Sequence, residues 1–374
     1  ETRLSEPFRN FRLNAAWVWR AKPLAPACAC RVPVHDCAQH VHGIWAMTKV
    51  VINGFGRIGR SVLRAWLTSD SWQGLDIVGV NDIAPLETCA YLFEYDSVFG
   101  PFPGGVSIEP GALIAAGRRI PFTQQRDLSA LMLSGVDILM ECTGRATDRA
   151  IAEQGLAAGA ARVLVSGPSP RADLTVVLGA NDESLTAAHR IVSNASCTTN
   201  ALAPLIRVLD DAYGLETALM TTVHCYTGSQ PTVDMPMANP ARSRAAALSM
   251  VPTTTSAEQL VDIVLPHLAG RITGSAVRVP TASVSCLDLA VILRDRPSAE
   301  EARGLLASSG GVIGYTDKPL VSSDLRQRPE SLIVAGPEIK RSKGGMLRVF
   351  GWYDNEWGFS CRMLDVARRM GSFT

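Results

Sequence analysis

The chain has 374 residues, of which 36 are Lys or Arg and 35 are Asp or Glu, so its formal net charge is +1. This balance provides no basic field for nucleic acid or for a membrane surface, and no apolar run reaches the ~18 residues of a membrane span. We therefore expect neither a nucleic-acid partner nor a membrane. The length allows two domains with substantial cores.

The nine cysteines are scattered along the chain. They form neither a Cys-x-x-Cys pair nor a regular disulfide framework. Because disulfide-rich proteins belong to oxidising compartments, this pattern favours a reducing compartment, and we predict a cytoplasmic protein.

Residues 1–46 differ from the rest of the chain in their cysteine and histidine content. They contain Cys28, Cys30, Cys37, His35, His40 and His42. The Cys28-x-Cys30 spacing is not that of a zinc finger, so we expect no metal site, and the Arg-rich, acid-poor composition loosely fits a transit peptide. No periodic pattern indicates a packed element. We expect residues 1–46 to be a disordered or non-native extension, with the working protein starting at Met47.

The first strand signal is a short apolar run at residues 50–52, followed directly by the glycine-rich residues 53–60 and a helical pattern. A second strand at 76–80 ends beside Asp82. In this strand–turn–helix context, Gly54, Gly56 and Gly59 allow a tight turn and the close approach of a pyrophosphate to the helix N-terminus. Asp82 would accept hydrogen bonds from ribose hydroxyls and repel a 2′-phosphate, which favours NAD over NADP. The alternative, a glycine-rich turn with a solvated aspartate, fits this context less well.

Strand and helix patterns alternate up to residue 165, which predicts a parallel sheet covered on both faces. After Cys197 the strand-like runs are longer and alternate between apolar and polar residues, as in an antiparallel sheet. We therefore predict an α/β fold with a Rossmann-type NAD-binding domain at 47–196 and an α+β catalytic domain at 197–358, whose sheet is mainly antiparallel. A C-terminal helix at 359–374 is predicted to pack back on the Rossmann domain. The long connection at 225–247 is expected to be functional or interfacial.

Cys197 lies in the octapeptide Ser-Asn-Ala-Ser-Cys-Thr-Thr-Asn at residues 193–200, where an amphipathic helical pattern begins. The dipole at a helix N-terminus favours a thiolate, although Pro204 should kink this helix or delay its start. A lone cysteine is more often a small buried residue than a nucleophile, and a lone histidine is more often a core residue. The polar octapeptide, together with His224 at a strand end 27 residues later, favours the functional interpretation of both.

A cysteine nucleophile, a histidine base and a bound nicotinamide together suit the oxidation of an aldehyde through covalent catalysis. The Cys197 thiolate would add to the carbonyl, hydride would leave for the cofactor, and a thioester would remain. His224 would take the hydroxyl proton and stabilise the thiolate as an ion pair. The backbone N–H of Cys197 would donate to the oxyanion.

The octapeptide resembles the signature of the glyceraldehyde-3-phosphate dehydrogenase family, and the resemblance extends from about Met47 to near Met370. It implies an NAD-dependent, phosphorylating oxidation of glyceraldehyde 3-phosphate to 1,3-bisphosphoglycerate. It also implies a homotetramer, in which residues 225–247 lie near a cofactor site across a subunit interface. The segment Asp234-Met235-Pro236 resembles the Asp-Leu-Pro of NAD-preferring relatives.

The resemblance further implies a set of ligand contacts. Those for the cofactor, beyond the residues argued above, are Phe55, Arg57, Ile58, Arg126, Thr143, Gly144, Ser166 and Asn355. Thr227 and Arg278 would bind the C3 phosphate of the substrate. The surroundings of the attacking inorganic phosphate would be Ser196, Thr198, Arg244, Thr255 and Ser256. Hydroxyls and guanidinium forks of this kind suit phosphate.

The chain departs from the family pattern at several positions. Ser256 stands where the family usually has Gly, so its side chain could crowd the inorganic-phosphate site. Cys142 replaces a usual Ser, Ala146 replaces a usual Phe beside the adenine, and Pro231 stands where many relatives carry Lys or Arg. Residues 210–214 and 355–359 resemble the sister family of erythrose-4-phosphate dehydrogenases.

Two alternatives therefore stay open. One is the oxidation of erythrose 4-phosphate by the same chemistry. The other is a non-catalytic, NAD-binding regulatory or scaffold protein, against which the intact Cys197, His224, Thr227 and Arg278 count.

Overall fold

The computed structural model describes residues 47–373, so the expectations for residues 1–46 lie outside the described part of the chain. The first half of the described chain forms a nine-stranded sheet in the order β3-β4-β5-β2-β1-β6-β7-β9-β8. Its strands are β1 (Thr48–Asn53), β2 (Leu75–Asn81), β3 (Val106–Glu109), β4 (Ala112–Ala115), β5 (Arg118–Thr123), β6 (Ile138–Glu141), β7 (Arg162–Val165), β8 (Leu174–Thr175) and β9 (Ile191–Ser193). The helices of this half are α1 (Arg57–Thr68), α2 (Leu86–Glu94) and α3 (Arg149–Ala157).

The pairing in this first sheet is mostly parallel, and only the pairs of β4 with β3 and with β5, towards one edge, are antiparallel. Strand β1 lies between β2 and β6. Strands β2 to β5 all lie on one side of β1, and strands β6 to β9, which come later in the chain, lie on the other side. In parallel sheets a ligand crevice opens at such a switch point, outside the carboxyl ends of the strands. The predicted Rossmann-type sheet is confirmed.

The second half forms an eight-stranded sheet in the order β11-β12-β10-β13-β17-β15-β14, with β16 paired to β17. Its strands are β10 (Leu215–Cys225), β11 (Val251–Thr253), β12 (Ile272–Val279), β13 (Ser285–Leu293), β14 (Ile313–Thr316), β15 (Leu332–Ala335), β16 (Lys340–Arg341) and β17 (Leu347–Tyr353). The helices are α4 (Cys197–Tyr213), α5 (Ala257–Val264), α6 (Ala299–Ser308) and α7 (Trp357–Gly371). Most pairs are antiparallel, as predicted, but β10 with β12 and β14 with β15 are parallel.

Helix α4 begins at Cys197 even though it contains Pro204, so the expected delay of its start does not occur. The side chain of Ser196 caps the helix by accepting a hydrogen bond from the Thr199 N–H at 3.1 Å. This cap fixes the first turn ahead of the proline. Gly214, with φ of 67°, follows the last residue of the helix.

Helix α7 follows the last strand of the second sheet but packs against the first sheet. Its residues Met363, Leu364 and Met370 are fully buried in the same apolar cluster as Ile52 of β1 and Leu63 of α1. Among residues 47–373, no helix combines the length and the apolar character that a membrane crossing requires.

Candidate active site

The glycine-rich turn connects β1 to α1, and two of its glycines are required by close packing. Gly54 has φ of +92°, and a Cβ there would lie 2.7 Å from the backbone nitrogen of Thr143. A Cβ on Gly59 would lie 2.1 Å from the carbonyl oxygen of Gly54. Larger residues would therefore push α1 and the Thr143 turn away from β1.

A cavity of about 580 Å³ opens at this turn, beyond the carboxyl ends of β1, β2 and β6. Of the residues predicted to bind cofactor, Gly54, Gly56, Asp82, Arg126 and Thr143 line it. The size is in the range of cofactor pockets, and the start of α1 supplies N–H groups for a pyrophosphate. These features fit the dinucleotide that the sequence predicts.

Asp82 is held at the rim of this cavity by two backbone N–H groups. Its Oδ2 accepts from Phe55 at 2.6 Å and its Oδ1 accepts from Ala84 at 2.9 Å. Each carboxylate oxygen has a further lone pair, so the side chain can also accept from ribose hydroxyls.

A buried polar ladder lies under the cavity, and sequence reasoning missed it. Asn81 Nδ2 donates to Asn53 Oδ1 at 2.7 Å, and Asn53 Nδ2 donates to the carboxylate of Glu141. The same carboxylate accepts from the backbone N–H of Thr143 at 2.9 Å and from its hydroxyl. The ladder thus fixes the Thr143 turn against β1. Its one sequence signal is a polar residue at the carboxyl end of each of three apolar strands.

The structure brings together the two residues that the sequence predicts as a catalytic pair. Cys197 is the first residue of α4, and its Sγ lies 3.6 Å from Nε2 of His224 near the end of β10. His224 is 8% exposed, whereas Cys197 is only partly buried. The two side chains are therefore within reach of each other, and the cysteine is the less buried residue of the two.

The other nitrogen of the His224 ring, Nδ1, also has close neighbours. It lies 2.7 Å from the carbonyl oxygen of Cys225, and Nη1 of Arg278 lies 2.7 Å from both of these atoms. Nε of Arg278 is buried without a hydrogen-bond partner. The guanidinium next to the catalytic pair therefore keeps N–H groups without a partner, and such groups suit an anionic substrate group.

Burial controls the ionisation of this pair. It lowers the pKa of His224 to about 4; the Cys225 carbonyl opposes the shift and the charge of Arg278 adds to it. Burial also raises the pKa of Cys197 to about 11, against the stabilising effects of Thr198 and Arg278. In this conformation burial therefore favours a neutral thiol and a neutral imidazole over the ion pair expected from the sequence.

Tyr353 supports the pair from behind. Its hydroxyl lies 2.9 Å from Oγ1 of Thr198 and 2.7 Å from Oγ1 of Thr222, and its ring meets the His224 ring edge-on at 6.0 Å. The Thr198 side chain, predicted to face inorganic phosphate, is thus engaged in a buried hydrogen bond. Sequence reasoning missed Tyr353 and Thr222, since their contact joins β17 to β10 across β13.

Two further cofactor candidates lie at strand ends beside the cavity and the catalytic pair. Asn355 follows β17, and its Oδ1 lies 3.0 Å from the Cys225 sulfur. Ser166 follows β7, where its backbone N–H donates to the Glu141 carbonyl at 3.0 Å. Gly144 follows Thr143 in a left-handed conformation with φ of +74°.

Three of the remaining phosphate candidates make local hydrogen bonds, whereas the fourth is held in an exposed ion pair. Ser196 caps α4 beside Cys197, and Thr255 accepts a hydrogen bond from the N–H of Ala257 at 3.1 Å near the start of α5. Thr227 lies two residues beyond β10, where its hydroxyl contacts that of Ser229 at 3.1 Å. Arg244 is different, because its guanidinium pairs with Asp234 at 3.0 Å and both side chains are more than 60% exposed.

Ser256 precedes α5 with an exposed side chain, φ of −83° and ψ of 0°. This conformation is open to any residue, so the site does not need a glycine for its backbone.

The parallel sheet with its cofactor cavity, joined to a second sheet that carries a Cys–His pair, is the architecture of an NAD-dependent oxidoreductase. Residues 48–149 match the family model of the glyceraldehyde 3-phosphate dehydrogenase NAD-binding domain, and residues 196–355 match that of its C-terminal domain. The chain belongs to the glyceraldehyde-3-phosphate dehydrogenase family.

Curated relatives agree with this assignment. The glyceraldehyde-3-phosphate dehydrogenase of Xanthobacter flavus is 49% identical over 331 residues, which cover 86% of this chain and 98% of the relative. The enzyme of the same name from Pseudomonas aeruginosa is 48% identical over 324 residues, covering 85% and 97%. That from Cereibacter sphaeroides is 45% identical over 328 residues, covering 86% and 98%.

Proposed function

We propose that this chain catalyses the NAD-dependent, phosphorylating oxidation of glyceraldehyde 3-phosphate to 1,3-bisphosphoglycerate. The observation that carries the proposal is the 3.6 Å contact between Cys197 Sγ and His224 Nε2, next to a guanidinium with a free N–H. The names of the relatives favour this substrate over erythrose 4-phosphate, and the intact catalytic pair argues against a purely regulatory role.

In the first half-reaction, Cys197 Sγ bonds to the aldehyde carbon and the thiol proton passes to the carbonyl oxygen, which gives a thiohemiacetal. The cofactor, held in the cavity by Gly54, Gly56, Asp82, Arg126 and Thr143, would supply the acceptor for the hydride from that carbon. His224 Nε2 takes the hydroxyl proton as the carbon–oxygen double bond of the thioester forms. The neutral imidazole in the structure is the form that can do this.

In the second half-reaction, an oxygen of inorganic phosphate attacks the thioester carbon and the Cys197 sulfur leaves as a thiolate, which takes back the proton held by His224. The backbone N–H of Cys197, at the start of α4, would stabilise the oxyanion in both half-reactions. Arg278 and Thr227 would hold the C3 phosphate of the substrate. Ser196, Thr198, Thr255 and Ser256 are proposed around the attacking phosphate. Arg244 is proposed there on the resemblance alone, because in this conformation it pairs with Asp234.

A rapid-mixing experiment tests the proposal. With NAD and glyceraldehyde 3-phosphate but no phosphate, we expect a burst of NADH equal to the number of Cys197 sites. Adding phosphate should convert the burst into continuous turnover. Erythrose 4-phosphate should give a smaller kcat/KM, and the absence of any burst would exclude the proposed activity.

We also propose a cytoplasmic homotetramer in which residues 225–247 reach a neighbouring subunit. Exposed apolar side chains in and just after this connection support an interface: Val233, Met235, Leu248 and Met250 are each at least 52% exposed. Patches of this kind commonly mark contacts with another protein. The six described cysteines are all free thiols, which fits a reducing compartment. Light scattering during size exclusion tests the tetramer, and cell fractionation tests the location.

A further inference from the structure

The Asn355 side chain has a single hydrogen bond in the described part of the chain, and its partner is Cys225. The Asn355 Oδ1 lies 3.0 Å from the Cys225 sulfur. Cys225 is fully buried and Asn355 is 6% exposed. The backbone on either side of Asn355 is fixed separately, because Asp354 Oδ1 accepts from the Glu356 and Trp357 N–H groups at 3.0 and 2.9 Å. The amide torsion of Asn355 therefore depends on Cys225.

The chemistry of a thiol decides which way that amide faces. An S–H group donates weakly, whereas sulfur is a poor acceptor for an N–H at this distance. Burial raises the pKa of Cys225 to about 12, so the proton that it donates is retained at neutral pH. Oδ1 of Asn355 thus faces the sulfur, and its Nδ2 points away with both N–H groups available.

Cys225 also adjoins the catalytic base. Its carbonyl oxygen lies 2.7 Å from His224 Nδ1 and 2.7 Å from Arg278 Nη1. One residue therefore contacts the ring of the base through its backbone and the amide of Asn355 through its side chain.

We propose that Cys225 is a positioning residue for hydride transfer: its S–H group fixes the Asn355 amide so that only N–H donors are offered to the carboxamide oxygen of the cofactor's nicotinamide. This inference rests on the proposed function, in which Asn355 contacts the cofactor. A fixed donor holds the nicotinamide carbon at the distance from Cys197 that hydride transfer needs. A freely rotating amide would present its oxygen half of the time and repel the carboxamide oxygen.

The test compares Cys225→Ala, which removes the donor, with Cys225→Ser, which keeps an X–H donor of similar size. Cys286→Ala is the matched control, because Cys286 is another buried cysteine, on the neighbouring strand β13. Binding is measured for NAD and for ADP-ribose, which lacks the nicotinamide. For Cys225→Ala we expect NAD affinity to fall about fivefold and the NADH burst rate to fall about five- to tenfold, as for the loss of one hydrogen bond. ADP-ribose affinity should stay within about twofold.

Rescue by Cys225→Ser and unchanged values in Cys286→Ala would support positioning. Equal losses for NAD and ADP-ribose in Cys225→Ala would show general loosening and overturn the proposal, as would unchanged NAD affinity or a failure of Ser to rescue. The ratio of NAD affinity to ADP-ribose affinity tests the positioning role of Cys225 even if the wild type gives no NADH burst. The absence of a burst would exclude the proposed function, not the positioning role.

If Cys225→Ala does not fold, infrared spectroscopy provides a second measurement. The difference spectrum between wild type and Asn355→Ala should show the loss of a hydrogen-bonded S–H stretching band. An unchanged S–H region would overturn the proposal.

Discussion

Arg57 and Glu356 form an ion pair across 299 positions of the chain, with Arg57 Nε donating to Glu356 Oε1 at 2.9 Å. The second nitrogen of the guanidinium bonds the other carboxylate oxygen, and the third bonds Asp96. Arg57 opens α1 directly after the glycine-rich turn, and Glu356 follows Asn355. The pair therefore ties the proposed pyrophosphate site to the proposed nicotinamide site.

Replacing Glu356 by Gln should weaken NAD binding about fivefold, because a two-pronged ion pair becomes a single hydrogen bond from Arg57 to an uncharged amide oxygen. The exposure of Arg57 (34% of its side chain) reduces the effect through solvent screening. Isothermal titration with NAD measures it. Glu338→Gln, in an exposed pair with Arg348 on the other sheet, is the control. Equal affinities in the two variants would mean that the tie does not contribute to binding.

Cys197→Ser should abolish the NADH burst while NAD still binds. The reason is that a serine alkoxide is far scarcer at neutral pH than a thiolate. Iodoacetamide should label Cys197 first, because the other five described cysteines are buried. Mass spectrometry of the labelled peptides checks this. Substantial oxidation by the Ser variant, or faster labelling of Cys225 or Cys286, would contradict the mechanism.

Asp82→Asn should relax the preference for NAD over NADP. The amide keeps the shape of the side chain but removes the charge that repels a 2′-phosphate. We expect NAD affinity to fall and the NADP/NAD affinity ratio to rise at least about tenfold. Titration of both cofactors measures the ratio, and Asp76→Asn on the same strand serves as control. A constant ratio would show that Asp82 does not contact the ribose.

Ser256→Gly should lower the phosphate concentration needed for half-maximal turnover and leave the burst rate nearly unchanged. The backbone at Ser256 is unstrained, so any obstruction comes from its hydroxymethyl group and not from restricted torsions. Thioester release needs inorganic phosphate, whereas acylation does not. Steady-state phosphate titrations of the two proteins decide the matter. A higher phosphate requirement in the Gly variant would indicate that the serine hydroxyl binds the anion.

Protonation of His224 should make the protein less stable at mildly acidic pH. The pKa of His224 is lowered from 6.5 to about 4 on folding, so below pH 6.5 the unfolded chain binds a proton that the folded chain excludes. Stability is therefore full above about pH 6.5 and is lost as the pH falls towards 4, by about 3 kcal/mol in total. His224→Gln should lack this component. Urea titrations of both proteins at pH 7 and pH 4.5 measure the difference, and identical pH dependence would contradict it.

The features predictable from the sequence are local ones. The glycine-rich turn follows from Gly54 and Gly59 beside a strand, and the helix that Cys197 opens follows from the amphipathic pattern that begins at the octapeptide. Such features depend on neighbours within a few positions, so the chain alone reveals them.

The contacts that the sequence did not predict join segments that are far apart in the chain. Asn53 meets Glu141 across 88 positions, and Thr198 meets Tyr353 across 155. Which strand ends become neighbours depends on sheet order, and a sequence pattern does not specify that order. The expected delay of α4 at Pro204 did not occur, because the Ser196 cap fixes the first turn ahead of the proline.

The burial of α7 against α1 has a consequence for the order of events on the ribosome. Met363, Leu364 and Met370 complete a cluster that begins at β1, and the 288 residues between α1 and α7 must be translated first. At typical elongation rates this takes on the order of 15 to 60 s. During that interval the nascent nine-stranded sheet carries an uncovered apolar surface, which is the kind of surface that chaperones bind. Premature termination before α7 would leave that surface permanently uncovered.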